Sequence, residues 1–337
     1  MKGALLWGAL TSTVVILALA SMTWGSTAVG LMDLLSIDWD PDARDSTKTI
    51  LLQLRLPRSL TAILGGAGLA LAGLMMQTLF RNALAGPGVL GISSGAGLGV
   101  ALVLLGGAEF QAYLGGGWWE STMVTAAFAG AMSVLGVVLF FSTRVTNSVS
   151  LLIIGLMTGY VASSLISVLT YFSTAEQIQG YALWGMGSFS GAHWTGISIL
   201  ALVTIPVYAL VWSRSSHLDL MLMGDRYAHS MGLGVKAHRA LFIFLTAMLV
   251  GSVTAFCGPV AFLGLAVPHI CRRLLSTSRH VYLVPACFLV GAALALSSDL
   301  VARVPGSDIT LPLNTITALI GAPVVIAFVL RRQKWSF

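Results

Sequence analysis

Long apolar runs, repeated along the whole chain, restrict its fold more than any other feature. A helix needs roughly 20 apolar residues to cross a bilayer, and about ten segments approach that length. They lie at 4–23, 60–80, 88–106, 122–142, 150–171, 195–212, 240–257, 259–271, 281–302 and 312–330. Segment 88–106 is glycine-rich at its start and 259–271 opens at a proline, so both are predicted to be broken or partly inserted helices. The sequence therefore predicts an all-α polytopic membrane protein, with residues 1–337 forming a single transmembrane domain.

Composition supports this fold class. Hydrophobic residues make up 57% of the chain and charged residues only 9%, against about 25% charged residues in soluble domains. Such a chain has too few polar side chains to cover a globule in water. Acidic residues also avoid the middle of the predicted spans, where a charge costs roughly 2.5–3.5 kcal/mol. Proton- and sodium-coupled carriers usually accept that cost to bind their ion, so a secondary carrier is disfavoured.

The distribution of charge predicts the orientation, because Lys and Arg collect in cytoplasmic loops. With the N-terminus inside, the inner loops and ends carry thirteen basic and two acidic residues. The outer loops then carry five basic and ten acidic residues. Both termini are therefore predicted to be cytoplasmic. The basic balance follows from topology, so no nucleic-acid partner is expected.

Motifs for metal, nucleotide or covalent chemistry are weak or absent in the sequence. Cys257, Cys271 and Cys287 lie in apolar segments without a C-x-x-C pair, which indicates helix packing. The sequence has no P-loop pattern, so any ATP-driven work would belong to a separate subunit. "GISSG" at 91–95 fits the serine nucleophile elbow, and His269 is the histidine best placed to serve it. A membrane-embedded enzyme therefore stays a remote alternative, and no cofactor or catalytic residue is predicted.

Arginines mark the outer mouth of two predicted spans. Arg55 and Arg58 stand three residues apart before the second span, and Arg303 closes the ninth. They could be anchors that reach the lipid headgroups. Alternatively, they could form a docking patch for carboxylates on a soluble partner, because Arg pairs with carboxylates bidentately.

An irregular stretch, "RNALAGPGVLGISSG" at 81–95, enters the membrane from the cytoplasmic side. Irregular backbone survives at that depth only when it is buried in protein or lines a watery cavity. The small residues could serve close helix packing, or the stretch could line a pathway that Asn82 and Leu84 close. The hydroxyls of the fifth span leave a similar choice between bonds to their own helix and the wall of a pore.

The segment 214–239 is the longest hydrophilic stretch among the inner loops. Its pattern predicts a helix over 219–228, with Gly232 and Gly234 as stop signals after it. Such a helix could be scaffolding between two spans. It could also insert Leu222, Met223, Tyr227 and Met231 into a cleft of a partner protein.

Residues 55–99, which run from "RLPR" through "MMQTLFRNALAGPGVLG", strongly resemble the permease subunits of type II ABC importers, the family for vitamin B12, haem and iron-siderophore complexes. Further matches occur in the same order along the chain, at "LLIIGLMTG", "LWGMGSFSG", "GDRYAHSMGLGV", "GPVAFLGLAVPHICRRL", "SSDLVAR" and "LPLNTITALIGAPVVIAFVL". One departure is Ala83, where the family usually has proline, and this change should loosen the inner bend.

The resemblance implies roles by position. In relatives, the arginines that match Arg55, Arg58 and Arg303 pair with glutamates of a periplasmic substrate-binding protein. The cytoplasmic gate is implied at Asn82, Leu84, Asn147 and Ser148. The helix that couples to the ATPase subunit is implied at Gly224, Asp225, Arg226, Ala228 and Gly232.

The resemblance also implies an assembly in the bacterial inner membrane. Two permease copies would work with two ATPase subunits, and spans 2–5 and 7–10 would form an inverted repeat. The pathway would lie on the dimer axis. We therefore expect an importer that moves an iron chelate, a ferric siderophore or haem, from periplasm to cytoplasm by alternating access. Cobalamin or an oxyanion stays an alternative cargo, and a secondary carrier a remote alternative.

Overall fold

The computed structural model describes residues 2–25, 46–106, 119–145, 148–191, 193–303 and 310–331. These ranges are helical apart from short turns and one isolated bridge between Arg303 and Thr310. The helices are α1 Lys2–Thr23, α2 Leu56–Leu79, α3 Ile92–Leu105, α4 Trp119–Arg144, α5 Ser148–Tyr171, α6 Ala175–Gly185, α7 Trp194–Ser213, α8 Ser215–Met223, α9 Asp225–Ser230, α10 Val235–Cys257, α11 Leu263–Leu275, α12 His280–Ala302 and α13 Leu313–Arg331. A short α-helical turn, Ser46–Thr49, precedes a π-helical stretch, Ile50–Arg55, which runs directly into α2.

Each of the ten predicted apolar segments coincides with one of these helices. Seven are long and apolar enough to cross a membrane: Ala4–Thr23, Ile50–Leu79, Ser121–Ser142, Val149–Tyr171, Trp194–Ser213, Val235–Cys257 and His280–Ala302. Ile92–Leu105 and Leu313–Ala327 are shorter apolar helices, and α11 has 13 residues. The all-helical fold is thus confirmed for the described residues, and the lengths of these helices are consistent with membrane spans.

The centre of the fold is α2, which is almost wholly buried. It packs against α7, α10, α11 and α12. Glycine makes the closest approaches possible, because a Cβ on Gly66 would lie 2.4 Å from the Gly291 carbonyl oxygen and one on Gly73 would lie 1.7 Å from that of Gly264. Small residues at helix crossings allow backbones to pack directly. By contrast, α1 is largely exposed and packs along α12.

Both predicted helix breaks are confirmed. Gly91, with φ of +73°, separates a 3-10 turn at Pro87–Leu90 from α3. It packs so tightly on α5 that a Cβ there would lie 2.6 Å from the Gly155 carbonyl oxygen. The second break ends at Phe262, with φ of +64°, immediately before α11. Its ring packs on α13 at Gly321, where a Cβ would lie 2.6 Å from the Phe262 Cβ.

Helix contacts recur in two matching sets. In the first set, α3 packs on α4 and α5, and in the second, α11 packs on α12 and α13. The long helix α2 packs on α11 and α12, while α10 packs on α3 and α4. Finally, α2 and α10 pack on each other. Each contact of the first set therefore has a counterpart in the second.

The single helix predicted over 219–228 is wrong. The structure has two helices here, α8 and α9, and they meet at Gly224 with φ of +113° and ψ of +153°. Only glycine adopts that backbone conformation readily, so the helix breaks where the sequence offers this residue. Gly232 does stop α9, as predicted, whereas Gly234 with φ of −72° precedes α10 and stops no helix.

Candidate transport pathway and its two ends

Two arginines hold the C-terminal end of α1. Arg55 Nη1 donates to the carbonyl oxygens of Met22 at 2.7 Å and Thr23 at 3.0 Å. Arg303 Nη1 donates to the Ser21 carbonyl at 2.8 Å, and its Nη2 donates to the Ser21 hydroxyl at 2.9 Å. The last carbonyls of a helix lack intrahelical donors and favour a nearby cation. Arg55 and Arg303 are buried, and they supply hydrogen-bond donors to the last carbonyl groups of α1.

A buried carboxylate joins the third arginine to this group. Arg58 Nε donates to Asp299 Oδ1 at 2.9 Å and Oδ2 at 3.1 Å, and Arg303 Nη2 also bonds Asp299. The side chain of Asp299 is 1% exposed, whereas that of Arg58 is 16% exposed. We call Arg55, Arg58, Arg303 and Asp299 the arginine cluster. The cluster holds three guanidinium groups and one carboxylate, which pairs with Arg58 and Arg303, so the cluster keeps a positive charge.

Residues 81–90, which we call the lip, follow the other end of α2. Asn82 Oδ1 accepts from the Leu84 amide at 2.9 Å, and the Asn82 carbonyl accepts from the Ala85 amide at 3.0 Å. This side-chain turn is typical of asparagine. The turn leaves the Leu84 side chain exposed. Asn82 and Leu84 thus form the tip of the lip.

A histidine from α11 supports the lip. His269 Nε2 lies 2.7 Å from the Ala83 carbonyl oxygen, and both residues are buried. A carbonyl can only accept, so Nε2 carries the proton. Ala83 was expected to loosen this bend because it stands where proline is usual. In the structure the His269 hydrogen bond holds the Ala83 carbonyl in place.

The fifth span, α5, lies beside the first break. The hydroxyls of Thr158, Ser164, Ser167 and Thr170 each donate to the carbonyl four residues earlier, at 2.8–3.0 Å. They therefore satisfy their own helix, one of the two alternatives left by the sequence. Of the two predicted gate residues at its start, Ser148 is the first residue of α5. Asn147 lies outside the described residues.

A cavity of about 220 Å³ brings the two broken segments together. Ser93 and Ser94 reach it from α3, and Pro259 reaches it from the second break. Ser163, Ile166, Tyr181 and Trp184 complete the wall from α5 and α6, together with Gly97 and Gly185. Hydroxyls and aromatic rings line this cavity, without a charged residue among the described ones. Among the described lining residues, neither a histidine nor a carboxylate lies beside Ser93.

The loop 214–239 is held to the next helix by an ion pair. Asp225, in the first turn of α9, accepts from Arg239 of α10, which is buried. A carboxylate at a helix N-terminus also complements the helix dipole. Within α9, Ala228 is buried and Arg226 is exposed. The Gly232 amide donates to the His229 carbonyl at 2.9 Å and the Leu233 amide to that of Ala228 at 3.0 Å, which is a Schellman stop.

The same loop exposes large apolar side chains. Met223 is 71% exposed and Met231 59% exposed, and Tyr227 between them is also exposed. All three lie in helices that are too short and too polar to span a bilayer, or at their ends. Exposed apolar side chains of this size, close together in the sequence and outside a membrane span, indicate a protein interface.

The profile of the FecCD transport family matches residues 13–331. The chain belongs to the FecCD transport family. This FecCD protein is 39% identical over 282 residues to the vitamin B12 import system permease protein BtuC of Klebsiella pneumoniae subsp. pneumoniae, covering 83% of this chain and 82% of the relative. It is 34% identical over 331 residues to the hemin transport system permease protein HmuU of Yersinia pestis, covering 98% and 96%.

A solved structure is also similar to this FecCD protein. It is described as an inward-facing conformation of a metal-chelate type ABC transporter. The TM-score is 0.84 with 31% sequence identity, and the match covers 98% of this chain and 99% of that one. The FecCD protein is therefore an ABC importer permease, a multi-pass membrane protein and a transport subunit.

His280 and Thr78 join parts of this FecCD permease and had no role in the sequence analysis. His280, at the start of α12, contacts both Asp219 of α8 and Thr78 of α2. The available signal was a lone histidine at the end of an apolar span. That signal alone does not identify a partner 202 residues away in the chain.

Proposed function

We propose that the protein imports an iron chelate, a ferric siderophore or haem, from the periplasm into the cytoplasm by alternating access. The observation that carries the ATP-driven part of this proposal is the exposure of the apolar side chains Met223, Tyr227 and Met231, in a loop that contacts the lip at Gly224. A soluble loop gains nothing from exposing these side chains unless a partner covers them. The partner that fits is an ATPase subunit, which supplies the energy that the permease itself lacks.

The proposed topology has ten spans, an inverted repeat and two cytoplasmic termini. The matching contacts of α2–α5 and α10–α13 support the repeat. The arginine cluster and the lip lie at opposite ends of α2, whose 24 residues span about 36 Å at 1.5 Å per residue. That length is close to the thickness of the hydrocarbon core. Lys and Arg dominate the side of the lip, which supports a cytoplasmic location for it.

At the periplasmic face, we propose that the arginine cluster receives the substrate-binding protein. Arg58 has the most exposed side chain of its three arginines and can offer its outer edge to an incoming carboxylate. Arg55 and Arg303 add positive charge from below while they hold α1. Steering of an acidic partner by such a field depends on ionic strength.

A second copy of the chain would complete the pathway. Apolar side chains of α5 and α13 are exposed, among them Val161, Val168, Tyr171, Leu319 and Ile326. Two such faces can enclose a corridor between protomers, with the hydroxyl-lined cavity beside it. The gate at the cytoplasmic mouth would consist of Asn82 and Leu84 from each lip, with Asn147 and Ser148.

Cobalamin is the second candidate cargo, and the 39% identity to a vitamin B12 permease favours it. The uncharged wall of the cavity supports a cargo that needs a wide, chemically neutral passage, which suits a cobalamin as well as a chelate. An oxyanion would need positive groups along the way, and the described lining residues of the cavity supply none. We therefore place the oxyanion third.

The test is reconstitution of the complex in proteoliposomes with its ATPase subunit. Haem, a ferric siderophore and cobalamin are each supplied on the cognate binding protein, and uptake and ATP hydrolysis are measured together. The proposal expects one iron chelate to stimulate hydrolysis and to enter, and vanadate to stop both. Stimulation by cobalamin alone would mean that the cargo is cobalamin and not an iron chelate. Uptake that resists vanadate and collapses with a protonophore would reject the ATP-driven importer.

A further inference from the structure

A chain of hydrogen bonds links the loop 214–239 to the end of α2. Asp219 Oδ1 lies 2.6 Å from His280 Nδ1 and accepts from the His280 backbone amide at 2.9 Å. On its other side, His280 Nε2 lies 2.7 Å from the Thr78 hydroxyl. Both ring nitrogens of His280 are thus engaged, one toward the loop and one toward α2.

Burial makes this connection stiff. His280 and Thr78 are completely buried. A buried polar atom that loses its partner has no water to replace it. We therefore expect a displacement of Asp219 to move the imidazole and, through it, Thr78, because breaking either contact leaves a buried ring nitrogen of His280 without its partner.

Gln77 and Thr78 in turn bond the first residues of the lip. The Arg81 amide donates to the Thr78 carbonyl at 3.2 Å, and the Asn82 amide donates to the Gln77 carbonyl at 3.1 Å. These two bonds end α2 and fix where the lip begins. The Thr78 hydroxyl also donates to the Leu74 carbonyl at 2.8 Å, so Thr78 is tied to the body of α2 as well.

A direct contact joins the loop 214–239 to the lip. A Cβ on Gly224 would lie 3.0 Å from Arg81 Nη1, so the Arg81 side chain rests against the break between α8 and α9. Arg81 itself has φ of +44°, an uncommon backbone conformation for a residue with a side chain. The loop 214–239 therefore contacts the lip directly at Gly224, and it reaches the residues before the lip from Asp219 through His280 and Thr78.

We propose that His280 is the positioning residue through which movement of the loop 214–239 reaches the lip. This inference rests on the proposed function, in which an ATPase subunit displaces that loop. Asp219 receives the displacement, His280 passes it across the N-terminus of α12, and Thr78 delivers it to the residues that open or close the cytoplasmic mouth.

Two substitutions at His280 separate the two halves of the connection. His280→Asn places an amide nitrogen near the position of Nδ1, and His280→Gln places one near that of Nε2. Each variant can keep one contact and loses the other. Thr78→Val is a milder change of nearly the same shape, and it keeps the test valid if a His280 variant does not assemble. Thr204→Val is the matched control, because Thr204 is a buried threonine against the middle of α2 at Gly68.

The experiment uses the assembled permease and ATPase complex, without cargo. Hydrogen exchange of backbone amides is compared before and after trapping with ATP and vanadate. In the wild type, we expect exchange to change both in α9 and in the lip, at the Leu84 and Ala85 amides. In His280→Asn, His280→Gln and Thr78→Val, the α9 response should persist and the lip response should fall at least about fivefold, the lower end of usual coupling between sites. Thr204→Val should respond like the wild type.

The outcomes separate this inference from the proposed function. If trapping with ATP and vanadate changes hydrogen exchange in α9 of the wild type but not in the lip, both this inference and the proposed alternating access are overturned. A lip response that survives in all three variants would overturn only the role of His280. A purely structural role for His280 predicts that the responses of α9 and the lip weaken together, so an unchanged ratio between them also overturns the inference.

Discussion

Arg58 and Asp299 form a bidentate ion pair between α2 and α12. Arg58 Nε donates to both carboxylate oxygens, and Nη2 lies 2.8 Å from Oδ1. Arg303 bonds the same carboxylate from one turn further along α12. One buried acid thus orients two of the three arginines proposed for docking, and it joins the two helices that form the centre of the fold.

Asp299→Asn should destabilise the protein because it leaves two guanidinium groups without their buried carboxylate. Removal of one partner from a buried ion pair typically costs about 3–5 kcal/mol. The expected result is a lower thermal midpoint of the purified permease in detergent. Asp225→Asn is the comparison. This substitution should lower the thermal midpoint less, because the Asp225 carboxylate is 34% exposed. Equal losses in the two variants would contradict a special role for the Asp299 carboxylate.

Arg58→Ala should weaken docking of the substrate-binding protein. Loss of a partly exposed arginine at the interface is expected to raise the Kd at least about tenfold, which corresponds to about 1.4 kcal/mol. The salt dependence of binding should also become shallower. Surface plasmon resonance over a range of ionic strength measures both effects.

Arg144→Ala is the control for this docking experiment. Arg144 is also exposed, stacks on the Phe140 ring at 4.3 Å, and lies in the last turn of α4 on the predicted cytoplasmic side. The substitution removes the same charge from the opposite face, so binding should stay unchanged. Equal weakening by both substitutions would mean that only net charge matters.

Gly224→Ala should distort the junction of α8 and α9. Backbone angles of +113° and +153° are strained for any residue with a Cβ, at a cost of about 1–3 kcal/mol. The new Cβ would also press on Arg81. We expect less ATPase subunit to copurify with the variant. Gly234→Ala is the matched control, because Gly234 has φ of −72° and open space around it, and its retention should equal that of the wild type.

Helix positions could be predicted from the sequence because the length of an apolar run depends only on local composition. The two breaks at Gly91 and Phe262 could be predicted equally well, since glycine and proline mark them in the sequence. The helix α6 was missed, although Thr174 and Gln177 at its start form the capping box that the structure contains. Its eleven residues are too few for a membrane span, which was the signal that identified the other long helices.

Contacts between distant segments could not be predicted in this way. His280 lies 61 residues from Asp219 and 202 from Thr78 in the chain. Their proximity depends on how α2, α8 and α12 pack. The same holds for Arg55 and Arg303, which the sequence places at an outer mouth. That they hold the end of α1 follows only from the packing of α1 along α12.

The loop 214–239 should lose stability as the pH falls below about 6.5. Partial burial, together with the nearby His238 and Arg214, lowers the pKa of His217 below its usual value. The folded loop therefore favours neutral His217, while the unfolded segment takes up a proton near pH 6.5. The stabilising contribution is present above that pH and is lost as the pH falls through the folded pKa.

Hydrogen exchange of the α8 amides at several pH values, corrected for the intrinsic rate, measures this loss. The His217 and His238 rings stack with centroids 4.7 Å apart, so one charge opposes the other. His217→Gln removes the titrating group, and its protection should not change across this pH range. The same pH dependence in the variant would assign the effect to another group.

Replacing the exposed apolar side chains of the loop should release the ATPase subunit. We expect the double substitution of Met223→Ala and Tyr227→Ala to reduce copurification at least about tenfold, because truncation of a well-buried interface side chain often costs more than 1 kcal/mol. The permease fold should be unaffected, since both side chains are largely exposed. Leu202→Ala is the control, because Leu202 is 74% exposed but lies in the middle of α7, within a candidate span. If exposed apolar area alone retained the ATPase, Leu202→Ala would release it as well. If loss occurs only with the loop variant, the surface of Met223 and Tyr227 is the site where the ATPase subunit binds.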